Sequence, residues 1–488
     1  MNLLGILLSR TTTHLSIVFI CLLFSFFLAQ GNVIFAAMIV SGVLYVWLFL
    51  PGAKLLPYIW LLGPPTFFIL VDKVIGGIPG ITMERLMIGT LGFKLCLDLV
   101  FDNERQHPLT LLEGLLILFC AYALVSLLIH TNTDNLDILI DDLWLLLQYA
   151  MAMASFVIGS RLHLTEQGVK RMLALLSLVG VYLSFLGVLQ TFGLDLFGNV
   201  EAGLTKGHEG RALGPFNSAH TYSATLLIIC VLTLWQYTFY RDAMVRTALV
   251  GMMLAMAVGI LLGQTRAPWV GFAVSLLIIF IKDRKVRPLL LIGAMVCLPI
   301  GVVILITMTD ELALFIERAL TISTMADRFA TWATAINMVA DNPVFGLGFT
   351  ADAYSAHKFE YITGIGSLPE QFATYLGVPH NEFVYVTVML GVTGLTLFIA
   401  ILYKLTRLMI SIHRDTSNPP MCRQLGLYIY AIIIGLIVNS MFSDTMLQQY
   451  FWTITYFLAG VVSGLVILVR QESVDTGGMD EKNPVFAR

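Results

Sequence analysis

The chain has 488 residues and a net charge of −3, and 58% of its residues are hydrophobic while only 12% are charged. Soluble domains have about a quarter charged residues, so this composition and the mean hydropathy of +0.86 exclude an ordinary soluble protein. Apolar runs long enough to cross the roughly 30 Å of hydrocarbon in a bilayer recur along the whole sequence. The sequence therefore predicts an all-α, polytopic membrane protein.

The apolar segments follow one another at short intervals. The first lacks a small-residue cleavage site and is followed at once by the second, so we interpret it as a retained helix and not as a signal peptide. The third contains Pro64-Pro65, and the fourth contains several charged residues. We expect a bundle of about 12–14 transmembrane helices, from candidate spans at roughly 14–29, 33–50, 55–71, 83–100, 109–129, 138–159, 172–192, 218–239, 247–263, 267–281, 288–308, 381–403, 424–443 and 446–469.

The distribution of Lys and Arg predicts the orientation of the bundle. With the N-terminus in the cytoplasm, 19 of the 28 basic residues fall in cytoplasmic segments. We therefore expect both termini in the cytoplasm and the loops 193–217 and 309–380 on the opposite face. The expected parts are N-terminal transmembrane helices (1–171), a transmembrane core with short outer loops (172–308), a long outer loop (309–380), C-terminal transmembrane helices (381–470) and a cytoplasmic tail (471–488).

The six cysteines lie in predicted helices or in one basic loop. None has a partner at metal-ligand spacing, and none lies in the two long outer loops. We therefore expect no disulfide framework, no metal site and no cofactor.

The long outer loop contains a predicted helix. Thr324-x-x-Asp327 is typical of a helix start, and the helix should end before Asn342-Pro343 because proline cannot continue it. Gly346-Leu347-Gly348 then indicates a tight turn. The helix should lie on the membrane surface or over the bundle, with Arg328 and Thr331 turned away from the apolar repeat: Phe329, Trp332, Ala333, Ile336, Val339 and Ala340.

Four of the basic side chains on the predicted outer face stand out: Arg211, Arg266, Arg328 and His380. An arginine at a membrane boundary is costly unless it is paired or solvated, and its planar fork suits diphosphate oxygens better than a lysine does. A histidine side chain titrates near neutral pH and can remove a proton from a sugar hydroxyl. These residue types together indicate chemistry on a phosphorylated glycan.

The arginines also have purely structural interpretations. Arg266 could be a snorkelling anchor at the membrane boundary. Arg328 could pair with Asp327 or with a lipid phosphate.

The same holds for the other polar candidates on this face. His380-Asn381 could be a helix start with a polar cap, and Asp444 could be a helix cap in a short turn. His220 could be no more than part of the first turn of its helix. The combination of these groups on one face is what favours a functional site.

Five motifs in this part of the chain occur in a characteristic order. Across about Val181 to Gly394 they resemble the O-antigen ligase and polysaccharide polymerase superfamily of bacterial inner membranes, and the histidine motif is the most specific of them. The motifs are Gly210-Arg211-Ala212-x-Gly-Pro-Phe, Gln264-Thr265-Arg266-Ala267-Pro268-Trp269, Arg328-x-x-x-Trp332, Asn342-Pro343-x-x-Gly346-x-Gly348 and His380-Asn381-x(9)-Gly391-x-x-Gly394.

The resemblance implies a helical bundle of the C-type glycosyltransferase kind. Such enzymes transfer a glycan from undecaprenyl diphosphate to an acceptor hydroxyl on the periplasmic face, without a metal. The partners it implies are an undecaprenyl-diphosphate-linked glycan, an acceptor glycan or lipid A-core, and membrane lipids, with no nucleic acid. The loop 309–380 would then be a periplasmic catalytic loop.

The resemblance also implies roles for single residues. Arg211 and Arg266 would hold the donor diphosphate. His380 would be the activating base or would orient the acceptor, with Asn381 in support. The helical arm with Arg328, supported by Trp332, would close over the site.

The acceptor is left open by these motifs. We narrowly favour a polymerase of O-antigen or exopolysaccharide, with a ligase that joins O-antigen to lipid A-core as the alternative. Transfer to a protein Ser or Thr is a further enzymatic possibility. A polysaccharide transporter would instead predict charged residues near mid-membrane in paired broken helices, whereas the notable charges here cluster at one predicted boundary.

Overall fold

The computed structural model describes residues 57–58, 60–61, 83–101, 108–132, 134–162, 164–194, 196, 211–216, 218–295, 323–361, 379–446 and 450–480. Its contacts divide the chain into two units, one of Met1–Trp60 with Thr90–Glu104 and one of Leu61–Gly89 with Arg105–Arg488. All the side chains discussed below belong to the second unit.

The described residues are helical or irregular, and no strand occurs among them, which confirms the all-α prediction. A short helical stretch also covers residues 287–295. The longer elements are α1 (Met83–Phe101), α2 (Leu111–His130), α3 (Leu136–Arg161), α4 (Glu166–Thr191), α5 (Ala219–Phe239), α6 (Ala243–Leu262), α7 (Arg266–Lys282), α8 (Ser323–Asp341), α9 (Ala353–Tyr361), α10 (Glu382–Arg414), α11 (Pro420–Ser440) and α12 (Tyr450–Asp480).

Eight helices in the described part of the chain are long and apolar enough to span a membrane: α2 to α6, α10, α11 and the Tyr450–Arg470 part of α12. The protein is therefore a multi-pass membrane protein. The predicted span at 83–100 is helical but is not among the eight, and α7 has 17 residues. The predicted spans at 14–29 and 33–50, nearly all of 55–71 and most of 288–308 lie outside the described residues.

Small residues allow α7 and α11 to pack closely. A Cβ on Gly435 would lie 2.5 Å from the carbonyl oxygen of Gly271, and Ser275 Oγ donates a hydrogen bond to the Ala431 carbonyl at 3.1 Å. This is the usual way in which membrane helices associate, because contact between small residues replaces the hydrophobic effect there. The contact fixes α7, and with it Arg266 at its first position, against α11.

Helix α10 is interrupted at Gly391, which has the non-helical angles φ 62° and ψ −166°. The helix has 33 residues, or about 50 Å at 1.5 Å per residue, which exceeds the hydrocarbon thickness. Before the break its side chains are buried or half-buried, and after it Val392 and Thr396 are exposed. The first part of α10 is therefore surrounded by protein, while the second part leaves one face open to lipid.

The turn at residues 342–348 fills the break in α10. The Leu347 and Gly348 N–H groups donate to the carbonyls of Val388 and Met389, at 2.8 and 3.1 Å. In the other direction, the Val392 N–H donates to the Pro343 carbonyl at 2.8 Å. Backbone groups freed by a break inside a membrane protein must find such partners, since no water is available to them.

Glycines make this close pairing possible. Gly346 has φ 72° and Gly348 has φ 111°, which confirms the predicted tight turn. A Cβ on Gly346 would lie 2.6 Å from Gly391 N, and a Cβ on Gly391 would overlap the Val344 carbonyl. Glycines in a membrane helix commonly admit a neighbouring helix. At Gly391 the neighbour is this turn, and a Cβ on Gly394 would meet only the Leu390 side chain of the same helix.

Helix α8 ends at Asp341, as the following Asn342-Pro343 predicts. Thr331 and Ile336 lie on opposite faces of α8, as predicted. The face that packs on the protein is that of Thr331 and not that of the predicted apolar repeat: its buried residues are Ala330, Thr331, Thr334, Ala335 and Met338. Phe329 and Ile336 of the predicted apolar repeat are 59% and 65% exposed. Most of the side chains on the buried face are small, which lets α8 pack closely on the rest of the protein. The larger apolar side chains on the other face are exposed, where a membrane surface would cover them.

Candidate functional site

The backbone places His380 just before α10. Asn381 is the N-cap of α10, and its Oδ1 accepts hydrogen bonds from the N–H groups of Phe383 and Val384 at 3.0 and 3.2 Å. The cap is therefore Asn381, and His380 has the left-handed φ of 47°. Such a conformation is uncommon outside glycine and indicates a constrained position.

The imidazole of His380 pairs with Asp444. Its Nδ1 lies 3.1 Å from Asp444 Oδ1, and the His380 side chain is 51% exposed while that of Asp444 is 11% exposed. A carboxylate only accepts hydrogen bonds, so Nδ1 holds the ring proton and Nε2 of the neutral ring is left as the basic atom. Asp444 thus orients the ring.

A buried carboxylate joins the two segments that hold this pair. Glu382 is fully buried, and it accepts a hydrogen bond from Tyr149 Oη on one oxygen and from Met446 N–H on the other, the latter at 2.9 Å. Glu382 is two residues beyond His380, and Met446 is two residues beyond Asp444. The Glu382 carboxylate therefore fixes the spacing of the histidine and its partner.

The arm helix α8 is attached beside the same histidine. Trp332 Nε1 donates a hydrogen bond to the Pro379 carbonyl at 2.7 Å, and the Trp332 ring lies edge-on to Phe329 at 5.7 Å. Tyr354 Oη in α9 donates to the Thr331 carbonyl at 3.3 Å. Trp332 thus joins the arm to the residue before His380.

A pocket of about 340 Å³ lies between the arm and the start of α7. Two guanidinium groups, of Arg266 and Arg328, are among its walls. In the described part of the chain neither arginine forms a salt bridge. The remaining walls are apolar: Ala267, Val270, Phe329, Trp332 and Phe442. The pocket is therefore a partly apolar site with two cationic groups and no described counter-ion in contact with them.

Electrostatic interactions connect the pocket with the histidine pair. Burial lowers the pKa of the Arg328 guanidinium, the like charge of Arg266 lowers it further, and Asp444 opposes both. Burial raises the pKa of the Asp444 carboxyl, but its hydrogen bond with His380 and the electrostatic attraction of the His380 and His220 rings outweigh it, so the pKa lies below its ordinary value. Arg266, Arg328, Asp444 and His380 thus belong to one group of interacting side chains.

The loop with Arg211 reaches the same region through its backbone. The Ala212 N–H donates to the Leu262 carbonyl at 3.0 Å, which brings the residue after Arg211 to the end of α6, four residues before Arg266. Gln190 of α4 holds this loop: its Oε1 accepts from the Leu213 N–H at 2.9 Å, and its Nε2 donates to the Gly214 carbonyl at 2.9 Å. The α6–α7 turn and the Arg211 loop are therefore neighbours.

The structure brings Arg266, Arg328, Trp332, His380 and Asn381 to one end of the bundle, with the Arg211 loop beside them. Sequence reasoning missed three groups that hold this site together: Gln190, Glu382 and Tyr149. A buried acidic residue directly after His380-Asn381 was a usable signal for Glu382. Gln190 and Tyr149 gave no signal, since a lone polar residue in an apolar helix has many possible partners.

Comparison with protein families adds an independent finding. Residues 251–399 match the model of the O-antigen ligase family. This segment contains Arg266, Arg328 and His380, whereas Arg211 and Asp444 lie outside it. No curated protein matches the chain. The family implies an enzyme of the glycosyltransferase kind that works with a lipid-linked glycan and an acceptor. The match over residues 251–399 supports the resemblance of this chain to the O-antigen ligase and polysaccharide polymerase superfamily.

Proposed function

We propose that this protein transfers a glycan from undecaprenyl diphosphate to a sugar hydroxyl on the periplasmic face of a bacterial inner membrane, in O-antigen or exopolysaccharide assembly. The observation that supports this most is a pocket with two arginines beside the His380–Asp444 pair. Trp332 and Phe442 both line the pocket. Trp332 donates a hydrogen bond to the carbonyl of the residue before His380, and Phe442 is two residues before Asp444 in the sequence.

The pocket suits the diphosphate of the donor. Two nearby like charges repel each other unless an anion lies between them, and the lowered pKa of Arg328 is in part a sign of that repulsion. Guanidinium forks bind phosphate oxygens in two-point contacts. We propose that Arg266 and Arg328 hold the diphosphate, that the Arg211 loop supports it from the side of α6, and that the apolar walls accept the first part of the lipid tail.

His380 is the proposed base. Its Nε2 is free to take the proton of an acceptor hydroxyl, because Nδ1 is bound to Asp444. The ring is half exposed, so an acceptor glycan can approach it from water. As the hydroxyl oxygen attacks the anomeric carbon, the bond to the diphosphate oxygen breaks and its electrons remain on that oxygen. Asp444 then stabilises the imidazolium ion, and the arginines stabilise the leaving diphosphate. In this scheme the arginines supply the positive charge and no metal is required.

The acceptor that we propose is a growing glycan, which would make the protein a polymerase. The description of the matched family favours a second candidate, a ligase that transfers the glycan to lipid A-core. The proposed roles of Arg266, Arg328 and His380 are the same for either acceptor.

An assay with purified protein in liposomes separates the two acceptors. Liposomes that contain only undecaprenyl-diphosphate-linked glycan should yield longer lipid-linked chains if the protein is a polymerase. If it is a ligase, no product should form until lipid A-core is added, and the product should then be glycosylated lipid A-core. No transfer in either case, with the donor shown to bind, would contradict the proposed function.

A further inference from the structure

A second histidine lies beside the proposed site. His220 is in the first turn of α5 and is only 8% exposed. Its ring packs on that of Phe451 at a centroid distance of 5.8 Å. Its Nε2 lies 3.1 Å from Nδ2 of Asn439, which is fully buried in α11. The ring is thus fixed in one orientation by two neighbouring helices.

Packing places the start of α5, which holds this ring, next to the turn that leads to Arg266. A Cβ on Gly263 would overlap Ser223 Oγ and would lie 3.3 Å from the Ala219 carbonyl oxygen, so the α6–α7 turn rests on the first turn of α5. The charges of Asp444, Arg328 and His380 all act on the His220 ring. His220 is therefore within electrostatic reach of both the proposed phosphate-binding group and the proposed base.

The hydrogen bond with Asn439 determines which ring nitrogen holds the proton. The amide Nδ2 is a donor only, so Nε2 of His220 accepts and Nδ1 holds the hydrogen. Among the described residues, no group accepts a hydrogen bond from Nδ1 of this ring. Nδ1 is not one of the fully buried side-chain atoms that lack a partner, so a ligand oxygen can reach it.

We propose that His220 donates a hydrogen bond from Nδ1 to the diphosphate oxygen that leaves the anomeric carbon, an inference that rests on the proposed function. The acceptor oxygen forms a bond to the anomeric carbon, and the proton of that hydroxyl passes to His380. The bond between the anomeric carbon and the phosphate oxygen breaks, and its electron pair stays on that oxygen. The N–H of His220 stabilises the charge that develops there, and no proton leaves the ring.

Binding of undecaprenyl diphosphate without a sugar tests this contact, because the oxygen in question is then a charged terminal oxygen. His220→Phe keeps a ring against Phe451 but removes the donor, so the Kd should rise about 10- to 100-fold, the usual effect of losing one hydrogen bond to a charged group. His220→Asn keeps an N–H group and should lose less affinity. His413→Asn is a matched control, since that histidine bonds to the Arg423 carbonyl at 3.0 Å far along α10.

A second variant covers the case in which His220→Phe does not fold. Asn439→Leu keeps the histidine but releases Nε2, so the ring proton is no longer fixed on Nδ1 and the Kd should rise severalfold. Unchanged affinity in a folded His220→Phe protein, or in Asn439→Leu if His220→Phe does not fold, would overturn this inference. If the wild-type protein does not bind undecaprenyl diphosphate, the proposed function fails as well. If it binds and Arg266→Ala does not, while His220→Phe is unaffected, only the role of His220 is wrong.

Discussion

At His380, the backbone and two carboxylates together determine what one imidazole can do. His380 has a left-handed φ and precedes α10, and Asp444 binds its Nδ1. Glu382 in turn holds the Asp444 segment through a hydrogen bond from the Met446 N–H. Neither carboxylate needs to touch the substrate. Both act by holding Nε2 of His380 at one position, which is what a general base requires.

Replacement of Asp444 by Asn tests this arrangement. The pKa of Asp444 is depressed, so the carboxyl is ionised throughout the neutral range and the change removes a full charge. The amide can still hydrogen-bond to the ring, but it does not stabilise an imidazolium ion. We expect the transfer rate to fall about 100-fold or more, by analogy with the carboxylate of a catalytic triad, with little change in undecaprenyl diphosphate binding. A variant that binds normally and transfers at the wild-type rate would show that Asp444 is only structural.

At the scale of the element, α10 and the turn at 342–348 form one structure. The break at Gly391 frees backbone groups, and the turn satisfies them, so each segment requires the other. The turn follows α8, which holds Arg328, and α10 follows His380. The pairing therefore fixes the height of the arm relative to the histidine.

Gly391→Ala should break this pairing. The alanine would have to adopt a conformation that costs about 1–3 kcal/mol for residues other than glycine, and its Cβ would overlap the Val344 carbonyl. We expect a thermal unfolding midpoint several degrees below that of the wild-type protein in detergent, together with reduced transfer. Gly251→Ala is the matched control: nothing lies within 4 Å of its Cβ position in α6, and alanine favours a helix by about 1 kcal/mol. Equal midpoints for the two variants would contradict this account.

For the whole molecule, the orientation in the membrane decides which side the site faces. The basic residues predict that α9 is periplasmic and that the α10–α11 turn is cytoplasmic. In a background without the six native cysteines, Ser355→Cys should react with an impermeant maleimide in intact spheroplasts. Thr416→Cys should react only after lysis. Both positions are exposed in the structure, so the opposite pattern would reverse the orientation and remove the proposed periplasmic reaction.

Sequence reasoning found the parts of this site that are close together along the chain. His380 and Asn381 are adjacent, and Arg328 and Trp332 are one helical turn apart, so motif spacing alone identified them. The contacts that complete the site join distant segments: Asp444 is 64 residues from His380, and Tyr149 is 233 residues from Glu382. The break in α10 was also missed, because a single glycine in an apolar run predicts close packing as readily as a break.

In the proposed mechanism, His380 acts as the base in transfer from a lipid diphosphate that Arg266 helps to hold. The most direct measurement is the rate of glycan transfer from undecaprenyl-diphosphate-linked glycan by purified protein in liposomes, alongside binding of undecaprenyl diphosphate. For His380→Gln we predict a rate about 10²–10⁴-fold lower, the usual effect of removing a general base, with binding retained. For Arg266→Lys we predict weaker binding, because the fork geometry is lost. A folded His380→Gln protein that transfers glycan at close to the wild-type rate would contradict the account.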